Sequence, residues 1–578
     1  MNLSTSLPTV FLIATMTAGL GWAQPGPPAL GQPDKWTIES GTHEWGDRAL
    51  RLTSVQGRSW AFYRGAAFTN TSVRVRFRVT DAGKGVKAAG LILRSSDSRT
   101  ACFVHYDTKN DQIILTRNAW AEGRHEITRK RKIPLETGRW HEAQADMIGS
   151  KLTVYLDGQE MLSGEDTALA SGFAGVYTSE GQVDFEEFSV TGDRTELPQD
   201  WRIRMHYEVP TDQTNATIED ISVICKQEGR YIGWPTVCLR RDGELLAAFS
   251  GDRDQHVCPW GKVQLVRSAD DGKTWTDPVS ICNTPLDDRD AGIIETKEGT
   301  LVVAWFTSLA FEGSMKSSWL KNLEGDAVLN QWRLHAEKLT PEIRQQWLGY
   351  WTRRSEDGGK TWDAPVKTKG SAPHGAIQLE DGRLLYVGRR FPHKNTELTV
   401  EESRDDGRSW QQIASIQASP GDAITGFHEP HVVEAADGAL IAQFRYHWSD
   451  PKTRKRDGRK DYLRQAISTD GGKTWTPAVA TPLLGYPPHL IRLKNDAIVT
   501  VYGRRLAPYG EYACVSWDNG RTWDVDNEIK LAGAMSGDLG YPASTQLADG
   551  SILTVYYQIH ESGEKTCLMG TRWRLKDR

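Results

Sequence analysis

The chain has 578 residues, 38% of them hydrophobic, with a formal charge of −5 and a pI near 6.3. That length exceeds a single hydrophobic core, so two domains and a leader are expected, and the charge leaves no footprint for nucleic acid or an anionic membrane as partner. Seven scattered cysteines contain no CxxC pair, so neither a metal site nor a cofactor is expected, while 22 tryptophans and 54 glycines suit a turn-rich β-protein with aromatic seams.

Val10–Leu20 is a short apolar run followed by Gly21-Trp22-Ala23, a small-residue cleavage pattern. It reads as a signal peptide over residues 1–23, too short to span a bilayer, and makes the mature protein secreted or periplasmic. A Pro- and Gly-rich linker, residues 24–34, follows it. No other segment has the length and hydropathy of a membrane span.

Residues 35–193 alternate short apolar strands with polar turns: SVRVRFRV, AGLILRS, CFVHYD, QIILTR and KLTVYLDG. The period of two predicts a β-sandwich. Its closing stretch, GFAGVYTSEGQVDFEEFSVTG, resembles the concanavalin-like jelly-roll modules of secreted sugar-active proteins, laminin-G-like domains included. Two readings stand side by side, a carbohydrate-binding accessory module and a spacer sandwich without a ligand.

From residue 200 to 578 a different rule applies. Apolar strand, tight turn and apolar strand recur at Asp242, Glu298, Asp381, Asp437, Asn495 and Asp549, spaced 56, 83, 56, 58 and 54 residues apart. Each is a β-hairpin signal, and about 50 residues is the period of a four-stranded propeller blade. Six hairpins predict six blades. Five octets of the form Ser-x-Asp-x-Gly-x-(Thr/Ser)-Trp, starting at Ser268, Ser355, Ser403, Ser468 and Ser516, mark the outer turns. In each, the Asp carboxylate is expected to fold onto backbone amides, the Gly to take a left-handed turn, and the Trp to plug a seam. The long interval holds an insertion over residues 308–348, where Thr340, Pro341 and Glu342 predict a helix start. The last blade lacks an octet, and Arg202–Val209 is a candidate strand to complete it. The fold class is all-β, a six-bladed β-propeller preceded by a β-sandwich. The basic run Arg454–Lys460 reads as a solvated hairpin tip.

In a propeller the starts and ends of the inner strands face the central channel. Eight residues before each hairpin turn stand Trp234, Asp290, Pro373, Glu429, Pro487 and Tyr541. Core packing does not select an Asp, a Glu and a Tyr at equivalent stations. A second set of equivalent positions, past the turns, is Ser250, Phe306, Arg389, Arg445, Gly503 and Tyr557, with Arg504 and Arg505 adjacent to Gly503.

From about residue 225 onward the chain resembles the sialidase (neuraminidase) superfamily. The resemblance rests on the octets, on FHEPHVVEAADGALIAQFR with Glu429 and Arg445, on GYPASTQLADG with Tyr541, and on LDDRDAGIIE with Asp290. It implies Tyr541 as nucleophile, Glu429 as its general base and Arg445 as a grip on a substrate carboxylate. A neutral tyrosine suits a substrate whose own carboxylate would repel an anionic nucleophile. The general acid is implied on the loop SGDRDQHVCPWGK, with Asp254 first, Asp252 second and His256 third. Asp290 completes the catalytic candidates.

One departure stands out. YIGWP places Gly233 where the family carries the first of three carboxylate-gripping arginines. Arg504 or Arg505 is the candidate third arginine, and Arg253 could rebuild part of the cluster. Arg389 is a further substrate-binding candidate facing the mouth, and His256, His374, His431 and His489 are expected to line an altered, sugar-type mouth. Three functions follow: a secreted retaining exo-glycosidase of sialidase type acting on a glycan with a terminal acidic sugar; a glycosidase or lyase on this scaffold for another acidic or sulfated glycan; and a non-catalytic glycan-binding protein.

Overall fold

A computed structural model describes residues 29–576 except 40–41, 82–87, 97–99, 120–122, 197–208, 317, 392–395, 507–508, 535 and 562–563. The signal-peptide segment and most of the candidate strand 202–209 lie outside the described residues. The chain divides into two compact units, one drawn from residues up to Leu197 and one containing Pro198–Arg578.

The first unit is a jelly roll. Two long strands, Ala49–Asp81 and Gly172–Thr195, pair antiparallel at its centre, and Gln182 pairs with both Thr53 and Asp81 where the partner strand folds back on itself. Ala88–Ser95, Ala101–Asp107 and Gln112–Ala119 extend one side, while His141–Ile148, Lys151–Leu156 and Gln159–Glu165 extend the other. His141–Ile148 alternates buried and part-exposed residues, the mark of a strand with one face on a core. That core is filled by residues such as Val73, Val75, Phe77, Leu91, Val104 and Tyr106.

The second unit is a six-bladed propeller of four-stranded antiparallel sheets. The two inner strands of blades one to six are, in order, Tyr231–Leu239 and Leu245–Arg253; Asp287–Glu295 and Leu301–Ser308; Ile377–Gln378 and Leu384–Arg390; Phe427–Glu434 and Leu440–Tyr446; Pro488–Arg492 and Ile498–Arg504; Gly540–Gln546 and Ile552–Ile559. Ala216–Cys225 pairs with Thr566–Leu575 and completes blade six, so the ring closes through a strand that begins 14 residues after the start of Arg202–Val209. Every seam between neighbouring blades has its own apolar cluster. Blades three and four meet through Leu385, Val387, Phe427 and Val432, and blades five and six through Val499, Val501, Ile552 and Trp573.

The octets fold as their chemistry dictates. In the first, the Asp270 carboxylate accepts from the Thr274 amide at 2.9 Å and the Thr274 hydroxyl at 2.6 Å, while the Ser268 hydroxyl accepts from the Gly272 amide. Gly272 has φ +85°, a left-handed conformation that suits glycine. The same bonds recur around Asp357, Asp405, Asp470 and Asp518. Two of the tryptophans bind the preceding blade: Trp410 donates to Thr352 and Trp523 to Gln465.

The insertion holds three helices where the sequence predicts one. Ala310–Ser314 and Ser318–Lys338 precede Pro341–Trp347, whose first turn is capped by the Thr340 hydroxyl. Phe311, Leu329, Trp332 and Leu339 pack on Cys258 and Leu286, so the insertion seals the loop that follows the first hairpin. Among the described residues no helix is long and apolar enough to cross a membrane. All seven cysteines are buried and unpaired.

Candidate active site

Four of the six inner-strand starts share a backbone irregularity. Trp234, Asp290, Glu429 and Tyr541 have φ of +56°, +51°, +35° and +52°, and the pairing register of each strand shifts at that point. A non-glycine residue held there costs about 1–3 kcal/mol and persists only where the surroundings enforce it. A bulge also re-aims its side chain. These are the stations at which the sequence places an Asp, a Glu and a Tyr.

The bulges bring Tyr541 and Glu429 together from blades six and four. The Tyr541 hydroxyl donates to Glu429 Oε1 at 2.7 Å, and Arg445 Nη1 reaches Glu429 Oε2 at 2.6 Å and the Tyr541 oxygen at 3.4 Å. Arg445 is oriented by His447, which accepts its Nε–H at 2.8 Å, and by the Tyr486 ring at 4.3 Å. Burial, reinforced by the carboxylates of Glu429 and Asp290, raises the Tyr541 phenol well above its ordinary value. Burial works the other way on Glu429, yet Arg445, His428 and the Tyr541 hydroxyl together hold it below 4.5. The pair is therefore a neutral phenol against an ionised carboxylate in hydrogen-bond contact.

Asp290 is 6% exposed and makes no hydrogen bond among the described residues. Burial pushes its carboxyl up to about 7, opposed by Arg289 and reinforced by Glu429. It can hold a proton at neutral pH beside an ionised Glu429.

Asp254 has another job. Its carboxylate is paired with Arg230 and accepts the Trp332 indole N–H at 2.7 Å, so it anchors the loop to the helical insertion. Asp252 is paired with Arg230 and Lys262. His256 stays exposed at the mouth, its ring edge-on to Trp234 at 4.9 Å and its Nδ1 3.2 Å from the Tyr231 hydroxyl.

The arginines divide similarly. Arg253 is fully buried and clamps Asp287 at 2.7 Å, tying blade one to blade two, and it is not available to a substrate. Arg504 is spent on Glu528 at 2.6 Å and on the face of Tyr512. Arg505 is the one that turns inward, donating to the Leu539 carbonyl and the Tyr557 hydroxyl, 5.7 Å from the Tyr541 ring centroid. Next to it, burial pushes Glu511 up to about 8 against the pull of Arg505, so this carboxyl is largely neutral at pH 7. Arg389 is buried beside Glu429 and Arg445.

His374, His431 and His489 do not line a substrate pocket. They are 1%, 4% and 6% exposed and pack on one another, with the rings of His431 and His489 stacked at 4.2 Å. Each Nδ1 engages another blade: His374 the Thr236 hydroxyl, His431 the Leu490 amide and His489 the Ser544 amide. Burial keeps all three neutral. Among the described residues no group of three or more His, Cys, Asp or Glu is placed to hold a metal.

Gly233 has a steric explanation. A Cβ built on it stands 3.3 Å from the Tyr557 ring, and Tyr557 shares Asp538 with Tyr231 at 3.1 and 2.8 Å. Tyr231, Trp234 and Tyr557 thus wall the space that an arginine at 233 would enter. Gly233→Arg is expected to destabilise the fold by about 1–3 kcal/mol through overpacking. Thermal unfolding of Gly233→Arg beside Gly233→Ala tests this, and equal melting temperatures would show that Tyr557 yields.

Residues 332–556 match the BNR repeat-like domain family, and residues 21–191 match the 3-keto-alpha-glucoside-1,2-lyase-like domain family, a concanavalin-like module. The chain is 23% identical over 380 residues to a sialidase of Micromonospora viridifaciens, covering 59% of this chain and 52% of that protein. It is 24% identical over 343 residues to a sialidase of Bacteroides fragilis strain YCH46, covering 51% and 55%. This is a BNR-repeat propeller of the sialidase superfamily. The chain spans about half the length of these curated relatives. A crystal structure of a Dyadobacter fermentans protein of unknown function superposes with a TM-score of 0.51 at 24% identity, covering 63% of this chain and all of that one, a likeness of fold.

Within this sialidase-superfamily propeller, several mouth residues escaped the sequence comparison: Arg289, His428, His447, Tyr486 and Asp538. Each lies within three residues of a station already compared. Widening each station by a few residues on either side would have found them.

Proposed function

We propose that this protein is a retaining exo-glycosidase of sialidase type, exported from the cell, that removes a terminal acidic sugar from glycans. The observation that carries the reading is the 2.7 Å bond from the Tyr541 hydroxyl to Glu429, bridged by Arg445. A binding site has no need of a phenol bonded to a carboxylate at its centre. The sialidase names of the two curated relatives support the same class.

In this reading Glu429 takes the phenolic proton as Tyr541 Oη attacks the anomeric carbon, and Asp290 gives its proton to the departing glycosidic oxygen. Asp290, now ionised, then deprotonates water. The water oxygen attacks the same carbon, the bond to Tyr541 breaks, and Glu429 returns the proton to the phenolate. Two displacements at one carbon retain its configuration. Arg445 and Arg505 bind the acidic group of the sugar with planar, charged forks.

The wall at Gly233 favours a second reading, in which the same chemistry acts on another acidic or sulfated sugar. Incubation with an aryl sialoside, aryl uronides and sulfated aryl glycosides, followed by proton NMR of the first product anomer, separates the two. Release with retained configuration from the sialoside supports the first reading, and release only from the others supports the second. Binding of these sugars without any release would reduce the protein to a glycan-binding propeller.

A further inference from the structure

Arg389 lies on the second strand of blade three, at the station that Arg445 holds on blade four. It is 2% exposed, yet its Nε and Nη1 have no hydrogen-bond partner among the described residues. Its Nη2 makes a long bond to the Thr425 carbonyl oxygen at 3.4 Å, and its guanidinium lies 3.7 Å from the Phe391 ring centroid. Burial lowers its pKa to about 10, against the pull of Glu429, so the group stays charged at neutral pH. Glu429 does not satisfy it, being already bonded to Arg445 and Tyr541. A buried cation with unpaired donors is unfavourable unless a ligand completes it.

We propose that Arg389 is the third anion contact of the mouth, so that the arginine grip lies on blades three, four and five and not on blade one. Blade one supplies the opposite surface, the wall of Tyr231 and Trp234 backed by Tyr557. A substrate is then held with its anionic oxygens toward Arg389, Arg445 and Arg505 and its carbon framework toward the wall. The group recognised is a carboxylate or sulfate ester on a pyranose, either of which can accept a charge-assisted hydrogen bond from a free donor of Arg389. The inference rests on the proposed glycosidase reading for the place of the sugar, but it makes its own claim about affinity.

The test uses the full chain and the variants Arg389→Met, Arg389→Lys and Tyr541→Phe. Calorimetric titration with N-acetylneuraminic acid, glucuronic acid, galactose 6-sulfate and galactose measures binding, and the matching aryl glycosides measure turnover. At least one of the three acids is expected to bind, with Arg389→Met weakening it about ten- to a hundredfold, Arg389→Lys restoring part, and galactose indifferent to both. The acid that binds tells carboxylate from sulfate. In turnover, KM should rise far more than kcat falls. The melting temperature of Arg389→Met should hold or rise, because the variant removes an unpaired buried charge. Unchanged acid affinity in Arg389→Met, or no binding of any of the three acids, overturns the inference. Turnover surviving in Tyr541→Phe would instead sink the glycosidase reading while leaving the anion contact standing.

Discussion

Tyr541→Phe is expected to cut turnover of an acidic aryl glycoside by about 10³-fold or more while the propeller stays folded. The substitution removes one oxygen and leaves the ring that packs between Trp234 and Tyr557. Glu429 keeps its ion pair with Arg445, so no carboxylate is stranded, and the lost hydrogen bond costs about 1 kcal/mol. Binding of the free acidic sugar should be nearly unchanged, because the arginines that hold it are untouched. Single-turnover kinetics beside calorimetry separates the two quantities. Turnover within a few-fold of the parent chain would remove Tyr541 from the chemistry.

Asp290→Asn comes next, with an expected loss of about 10²–10⁴-fold on glycosides whose leaving group needs a proton. The loss should shrink on an aryl glycoside with an acidic phenol, since such a leaving group departs unassisted. The pH profile gives an independent reading. Asp290 must be protonated to act as the acid, so the parent rate should fall as pH rises through about 7. Glu429 must be ionised to act as the base, so the acidic limb should lie below 4.5, where Arg445 and its other partners hold it. Asparagine at 290 removes the upper limb and leaves the lower one. Asp254→Asn is the control: it breaks the contact with Arg230 and Trp332 and should lower the melting temperature without erasing that limb. The reverse pattern would return the acid role to Asp254.

The different settings of Asp254 and Asp290 show where sequence reasoning stops. Both are acidic residues near the first two hairpins, and spacing alone does not say which is already paired. Trp332, 78 residues downstream on an inserted helix, takes one oxygen of Asp254, and Arg230 takes the other. Likewise Arg504 and Arg505 are adjacent in the chain and leave the strand in different directions, one to Glu528 and one to the mouth. The histidines were legible as ring residues, but not as the buried struts that join one blade to another. Strand alternation sets a side chain's face only while the pleat is regular, and the bulged stations are where it is not.

Local repetition carried most of the fold. Hairpin turns at near-constant spacing and octets whose carboxylates bond only four residues ahead are determined within a few residues, so the number of blades, their register and the stations of Tyr541, Glu429, Asp290 and Arg445 were readable from the chain itself. The tertiary structure alone decided which charged groups remain free: that Tyr557 fills the space at Gly233, that Glu528 occupies Arg504, and that Arg389 is buried with donors to spare. Those outcomes depend on residues from different blades meeting across a channel, and on burial that shifts a carboxyl or a phenol by removing water. Neither is a property of any one segment.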